Sequence, residues 1–87
     1  MTTLTVSATT DFSADLLENT DFIEFGVPAT ATFSALQFDN LAILDTVLIY
    51  GLGSNHIIVN GGSLDASQWQ FQFWNATFNS ITLNGTS

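Results

Sequence analysis

Three oxygen-bearing side chains stand at matching places in the sequence, each just before or at the start of an apolar stretch. Asp21 precedes FIEFG, Asp45 precedes TVLIYG and Asn79 precedes SITLNG. If these stretches are equivalent strands of stacked units, the three side chains form one column, where carboxylates repel unless hydrogen bonds or a cation compensate. Ca²⁺ suits such an oxygen-only ligand set. We expect Asp21, Asp45 and Asn79 to cap turns by accepting hydrogen bonds from backbone N–H groups, with a calcium site formed by the same three side chains as the alternative.

The charge inventory excludes several classes of partner. The 87 residues include eight Asp or Glu, one His and neither Lys nor Arg, for a formal net charge of −8. No side chain can neutralise nucleic-acid phosphates, and none is drawn to an anionic membrane surface. No apolar run approaches the roughly 20 residues that a transmembrane helix needs. The chain has no Cys, so disulfides and thiolate metal sites are excluded as well.

The N-terminal segment MTTLTVSATT has neither the basic nor the long apolar region of a conventional signal peptide. The absence of Lys and Arg leaves trypsin-like proteases no site to cleave. We therefore expect an extracellular protein that is secreted without a recognisable signal peptide in this chain.

The elements that must position these side chains are predicted to be strands. Thr, Val, Ile, Phe and Trp dominate the ordered-looking segments and favour a pleated sheet. Predicted strands cover residues 3–8, 22–25, 29–33, 42–50, 56–60, 70–74 and 80–84. Six glycines punctuate their ends.

A short phrase is written three times, as FSADLL, FSALQF and LDASQW. Each copy follows a predicted strand and precedes a polar residue, a second strand and a glycine. This order predicts one domain over residues 1–87, built from units at 3–26, 29–51 and 56–85. The alternative is a meander of unrelated hairpins.

Stacking of three such units predicts an all-β fold, a short parallel β-solenoid of about three coils. The competing fold is a small antiparallel β-sandwich. The solenoid would have a stacking core of two columns, and two further columns would lie beside them. The core columns are Phe12, Phe33 and Leu64, and Leu17, Phe38 and Trp69. The further columns are Ile23, Val47 and Ile81, and Phe25, Ile49 and Leu83.

The aromatic and histidine residues suggest packing more than catalysis. The only imidazole, His56, lies within an apolar strand, and no nucleophile elbow is present, so we expect no enzyme. In WQFQFW, period-two alternation places Trp69, Phe71 and Phe73 inward. We expect Tyr50 and Trp74 to pack between coils or subunits, with an exposed platform for a glycan as the alternative.

The second half of the chain, with DASQWQFQFWN and NSITLNG, resembles degenerate repeat segments of secreted, calcium-dependent RTX-like bacterial adhesins. Their nonapeptide Ca²⁺ motif is absent, and GLGSNHIIV at residues 51–59 is only a faint version of it. The resemblance implies a secreted, solenoid-like, non-enzymatic protein with a role in adhesion, and it leaves calcium binding open.

The chain shows an apolar-alternating strand near its start and another near its end, and neither carries a charged cap. The first contains Leu4, Val6 and Ala8, and the last contains Ile81 and Leu83 and is followed by Gly85. We expect these strands to join copies end to end into an extracellular filament, so that the main partner is the protein itself. A Ca²⁺-stabilised spacer or binding module of an adhesin and a carbohydrate-binding β-sandwich are the alternatives, with a cell surface or glycan as partner.

Overall fold

The computed structural model describes residues 2–51, 53–62, 66–74 and 79–84. Their secondary structure is mostly strand, with one short helix, α1 (Ala35–Asp39). The strands are β1 (Thr2–Val6), β2 (Thr10–Asp11), β3 (Thr20–Phe25), β4 (Thr30–Ser34), β5 (Ile43–Gly51), β6 (His56–Asn60), β7 (Gln70–Gln72) and β8 (Ser80–Asn84).

The strands form two four-stranded sheets, and the chain alternates between them. The first sheet has the order β1-β3-β5-β7 and the second has the order β2-β4-β6-β8. All six strand pairings in the described residues are parallel. The prediction of an all-β, solenoid-like parallel arrangement is confirmed, and the antiparallel sandwich is wrong. Each turn of chain contributes one strand to each sheet, which gives four turns where about three were expected.

The core lies between the two sheets and is built from aligned inward-facing columns. In the first sheet, Leu4, Ile23, Ile49 and Phe71 occupy successive positions of one column. In the second sheet, one column contains Ala31, Ile57 and Ile81, and the next contains Phe33, Val59 and Leu83. The members from the two middle turns are at most 1 % exposed. Burial is therefore greatest where a turn has a neighbour on both sides.

Two predicted columns are wrong, because each mixes residues from the two sheets. Ile81 aligns with Ile57, not with Ile23. Leu83 aligns with Val59 in the second sheet, while Phe25 pairs with Gly51 in the first. The repeated phrase does mark equivalent places in the chain path, since its three copies precede β3, β5 and β7, which all belong to the first sheet. The error lay in taking β8, and not β7, as the strand that follows the third copy.

Aromatic rings stack along the corner that contains the repeated phrase. The rings of Phe12 and Phe33 have centroids 5.5 Å apart and planes 14° apart. The rings of Phe38 and Trp69 have centroids 5.1 Å apart and planes 24° apart. Leu17 is partly buried against the core, and Leu64 lies outside the described residues. The structure thus brings together two members of each predicted stacking column.

The helix α1 is the corner of the second turn. Ser34 is its N-cap: its hydroxyl accepts a hydrogen bond from the N–H of Leu36 at 3.1 Å. In return, the side-chain oxygen of Gln37 accepts one from the N–H of Ser34 at 2.9 Å, which completes a capping box. The predicted capped turn is confirmed here, and the FSADLL copy forms only a turn and bend.

Candidate functional site

The strand order leaves two candidate surfaces, one at each end of the stack of described strands. We call them the first-turn edge, formed by β1 and β2, and the last-turn edge, formed by β7 and β8. On the side away from the stack, each strand presents backbone N–H and C=O groups in the geometry that another parallel strand would match. These edges can therefore form further strand pairings.

The last-turn edge combines apolar side chains with an absence of charge. Phe71 in β7 and Leu83 in β8 are each 43 % exposed, although both continue columns whose middle members are buried. The sequence from Ala66 to Ser87 contains no Asp or Glu. Natural edge strands commonly carry charge or proline to discourage pairing, and neither residue type occurs in β7 or β8.

The first-turn edge is partly closed. Leu4 is partly buried, whereas Val6 is fully buried and Phe12 is 8 % exposed. The backbone N–H of Thr2 donates to a carboxylate oxygen of Asp21 at 2.8 Å, which ties β1 to β3. Thr10 and Asp11 of β2 are exposed. This edge therefore presents the backbone of β1 and β2 to a further turn. Of the residues in its inward-facing columns, Leu4 and Thr10 are accessible.

The predicted self-assembly residues do not lie in one pairing. Leu4 and Val6 are in the first sheet, while Ile81 and Leu83 are in the second. If a second copy continues both sheets, its β1 meets β7 and not β8. The role of these residues in self-assembly stays a prediction. Ala8 lies beyond the end of β1 and is exposed, and Gly85 is outside the described residues.

The predicted calcium column is not formed. Asp21 and Asp45 fall in the irregular stretch between the pairs Thr20–Ile43 and Phe22–Leu48, so they are not opposite each other. Asn79 precedes β8 in the other sheet, and its side-chain oxygen accepts a hydrogen bond from the N–H of Asn55 at 2.6 Å. In the described residues there is no group of three His, Cys, Asp or Glu side chains close enough to hold a metal ion. Calcium binding stays a prediction.

One carboxylate has a perturbed acidity. Hydrogen bonds from the hydroxyl and then the backbone N–H of Ser13, the latter at 2.8 Å, hold the pKa of Asp11 below its usual value of 3.8. Asp11 thus stays ionised on the first-turn edge through the physiological pH range.

The predicted glycan platform has different members in the structure. β7 ends at Gln72, and Phe73 has a positive φ of 57°, so the inward-outward alternation breaks there. Phe73 becomes 61 % exposed, and its ring meets Tyr50 edge-on with centroids 5.4 Å apart. Trp74 instead packs partly buried, 6.0 Å from the Phe25 ring. The expected inward position of Phe73 is wrong, and Trp74 packs against residues of other turns without joining Tyr50 in an exposed platform.

Two further polar features lie between adjacent turns of the described residues. The Nδ1 of His56 lies 2.7 Å from the hydroxyl of Ser80 in the neighbouring strand. An open surface depression of about 330 Å³ contains one carboxylate, that of Glu18. Its lining residues are Leu17, Glu18, Asn19, Asn40, Leu41 and Ala42. Both features are consistent with polar groups that join adjacent turns.

The sequence did not reveal the roles of two residues near the ends of the stack of turns. Gln37 is 6 % exposed, and its amide nitrogen donates to the carbonyl oxygens of Phe12 and Asp15 at 2.8 and 3.2 Å. It therefore fixes the first turn to α1. Phe71 was assigned to the core, yet it ends its column at the open last-turn edge. The capping-box spacing of Ser34 and Gln37 was the available signal for the first.

Within the part of the chain that the structure describes, no helix has the length and apolar character required to cross a membrane. Comparisons with family models, with curated proteins and with solved structures each found no match. The resemblance to RTX-like adhesin repeats accordingly stays a prediction.

Proposed function

We propose that the protein is a secreted structural subunit that self-assembles end to end, by strand stacking, into an extracellular filament. The observation that carries this proposal is the last-turn edge, an uncharged pair of strands with exposed Phe71 and Leu83. Burial of such side chains by another turn removes apolar surface from water. A contact between unlike ends extends into a filament when the rotation between successive copies does not close a ring.

The composition supports an extracellular, non-enzymatic role. The absence of Lys and Arg removes the cleavage sites of trypsin-like proteases, and the absence of Cys makes the fold independent of redox conditions. The net charge of −8 keeps filaments apart by repulsion along their sides. Stacking end to end is then the association that costs least electrostatically.

Light scattering after size-exclusion chromatography, together with negative-stain microscopy, tests the proposal. We expect oligomers whose mass rises with protein concentration and filaments as wide as one subunit. Leu83→Lys should reduce assembly, because a lysine on an edge strand opposes further pairing. The matched control is Val27→Lys, since Val27 is 44 % exposed and lies outside the strands. A parent protein that stays monomeric at every concentration would overturn the proposal.

The same experiment separates the alternative of a Ca²⁺-stabilised spacer or binding module. That alternative predicts a monomer whose melting temperature rises with Ca²⁺ and falls with a chelator. Filaments that form equally in Ca²⁺ and in chelator favour the structural subunit without a metal.

A further inference from the structure

The ladders of the two sheets define which strands would meet at a junction between copies. In the first sheet, Thr5, Glu24, Tyr50 and Gln72 occupy successive positions of an outward-facing row. In the second sheet, Asp11, Thr32, Ile58 and Thr82 do the same. One more turn in the same register would place Thr5 beside Gln72 and Asp11 beside Thr82.

If both sheets continue from one copy into the next, the strands that pair at the junction are fixed. β7 and β1 are the edges of the first sheet, and β8 and β2 are the edges of the second. A second copy that stacks with the same direction pairs its β1 with β7 and its β2 with β8. The column that ends at Phe71 then continues into Leu4 of the next copy, and Ile81 is followed by Thr10.

Charge favours this polarity over a contact between two first-turn edges. Asp11 and Asp15 lie in the first turn and are exposed, so two such edges would bring like charges together. In the last-turn edge, Thr82 faces the place that Asp11 would occupy, and no charged residue follows Asp65 in the sequence. Each first-turn carboxylate therefore meets an uncharged surface.

We infer that a second copy of this chain docks head to tail, with its β1 against β7 and its β2 against β8, in the register that sets Thr5 opposite Gln72. This inference rests on the proposed function and adds to it the direction and register of the junction. The adjacent Cα atoms would lie about 4.8 Å apart, which is the spacing of neighbouring strands.

Oxidative cross-linking tests the register directly, because the chain has no native Cys. Thr5 and Gln72 are both exposed, so the double variant Thr5→Cys/Gln72→Cys should preserve the fold. The predicted spacing lies within the roughly 4.4–6.8 Å that a disulfide spans between Cα atoms. On oxidation we expect a ladder of covalent multimers on a non-reducing denaturing gel, at least ten times more abundant than in the controls.

Three controls give this result its meaning. Thr5→Cys alone would cross-link if two first-turn edges met, and Gln72→Cys alone would do so if two last-turn edges met. Thr5→Cys/Thr82→Cys pairs equally exposed residues from different sheets. Dimers from a single variant, or multimers from the mismatched pair, would overturn the inference. Parent filaments with no covalent ladder from Thr5→Cys/Gln72→Cys would overturn it too, while the proposed function would stand; a monomeric parent overturns both.

A charge variant provides a second measurement that does not depend on disulfide geometry. Thr82→Asp places a carboxylate beside Asp11 of the next copy, and like charges directly opposite each other oppose pairing. We expect the critical concentration for assembly to rise by about two- to five-fold, with recovery in high salt. Thr82→Asn is the neutral control. Equal critical concentrations for the two variants at low salt would contradict the register.

Discussion

The ring of Phe38, in the helical corner of the second turn, stacks on the ring of Trp69, with centroids 5.1 Å apart and planes 24° apart. The two residues are 31 positions apart in the sequence and are 6 % and 7 % exposed. Their contact joins α1 to the corner that leads into β7. The position of the last-turn edge therefore depends on this ring pair.

Trp69→Ala should destabilise the protein by about 3–5 kcal/mol, because it removes a buried aromatic side chain and leaves a cavity. Urea unfolding followed by circular dichroism measures the loss. The control is Phe73→Ala, since Phe73 is 61 % exposed and its removal should cost less than about 1 kcal/mol. Similar losses for the two variants would contradict the buried stack.

Trp69→Phe should be nearly neutral, within about 1 kcal/mol of the parent protein. The indole Nε1 is buried and has no hydrogen-bond partner among the described residues, so its removal relieves a desolvation cost that offsets the smaller ring. The same unfolding measurement applies. A loss as large as that of Trp69→Ala would contradict this prediction.

Gln37→Met should cost about 2–3 kcal/mol of unfolding free energy, because it removes the capping-box acceptor and leaves the carbonyl of Phe12 without its amide donor. Met preserves the length and helix propensity of the side chain. Gln68→Met is the matched control, since Gln68 is exposed in a turn. If both variants unfold at the parent's urea midpoint, Gln37 does not fix the first turn.

Gly51→Ala should destabilise the protein by about 1–3 kcal/mol through overpacking. A Cβ at this position would lie 2.8 Å from the side-chain nitrogen of Asn55 and 3.1 Å from the ring of Trp74. Trp74 should move, and a shift of the tryptophan fluorescence maximum reports the movement. Gly62→Ala is the control, since a Cβ there would have no neighbour within 4 Å. Unchanged fluorescence and stability in Gly51→Ala would contradict the packing of Trp74 against this glycine.

The lowered pKa of Asp11 predicts that the contribution of this carboxylate to stability decreases on acidification. Its pKa in the folded protein is below the usual 3.8, so its stabilising contribution is present above that value and is lost as pH falls through the folded pKa. The difference in melting temperature between the parent and Asp11→Ala should therefore be largest at neutral pH and shrink well below pH 3.8. A difference that grows on acidification would contradict the hydrogen bonds from Ser13.

Local features of the fold were predictable from the sequence, because they depend on residues close together in the chain. β6 and β8 have the predicted bounds, since polar residues flank the apolar run of β6 and since apolar and polar residues alternate in β8. The corner α1 follows from the Ser34–Gln37 spacing. The sequence did not predict β2, because a strand of two residues, Thr10–Asp11, is too short to show a periodic pattern.

Relationships between distant segments were not predictable in the same way. The assignment of β8 to the second sheet depends on how many times the chain crosses between sheets, which no local pattern reports. For the same reason, Asp21 and Asn79 have similar sequence surroundings, although Asp21 lies in β3 of the first sheet and Asn79 immediately precedes β8 of the second. Trp74 is packed and Phe73 is exposed, the reverse of the predicted arrangement. The packing of Trp74 depends on the space beside Gly51, which lies more than twenty positions earlier.

The strand ladders join only adjacent turns of the chain, which has a consequence for the way in which the chain folds. His56 pairs with Ser80, and Thr30 pairs with His56, so partners in the second sheet lie one turn of chain apart. Loop-closure entropy grows only slowly with loop length, so the closure cost is similar for each added turn. Nucleation then requires two adjacent turns to meet, and later turns add to an existing template. We therefore expect preformed fragments of the stack to accelerate the folding of fresh chains, as seeds shorten a lag phase.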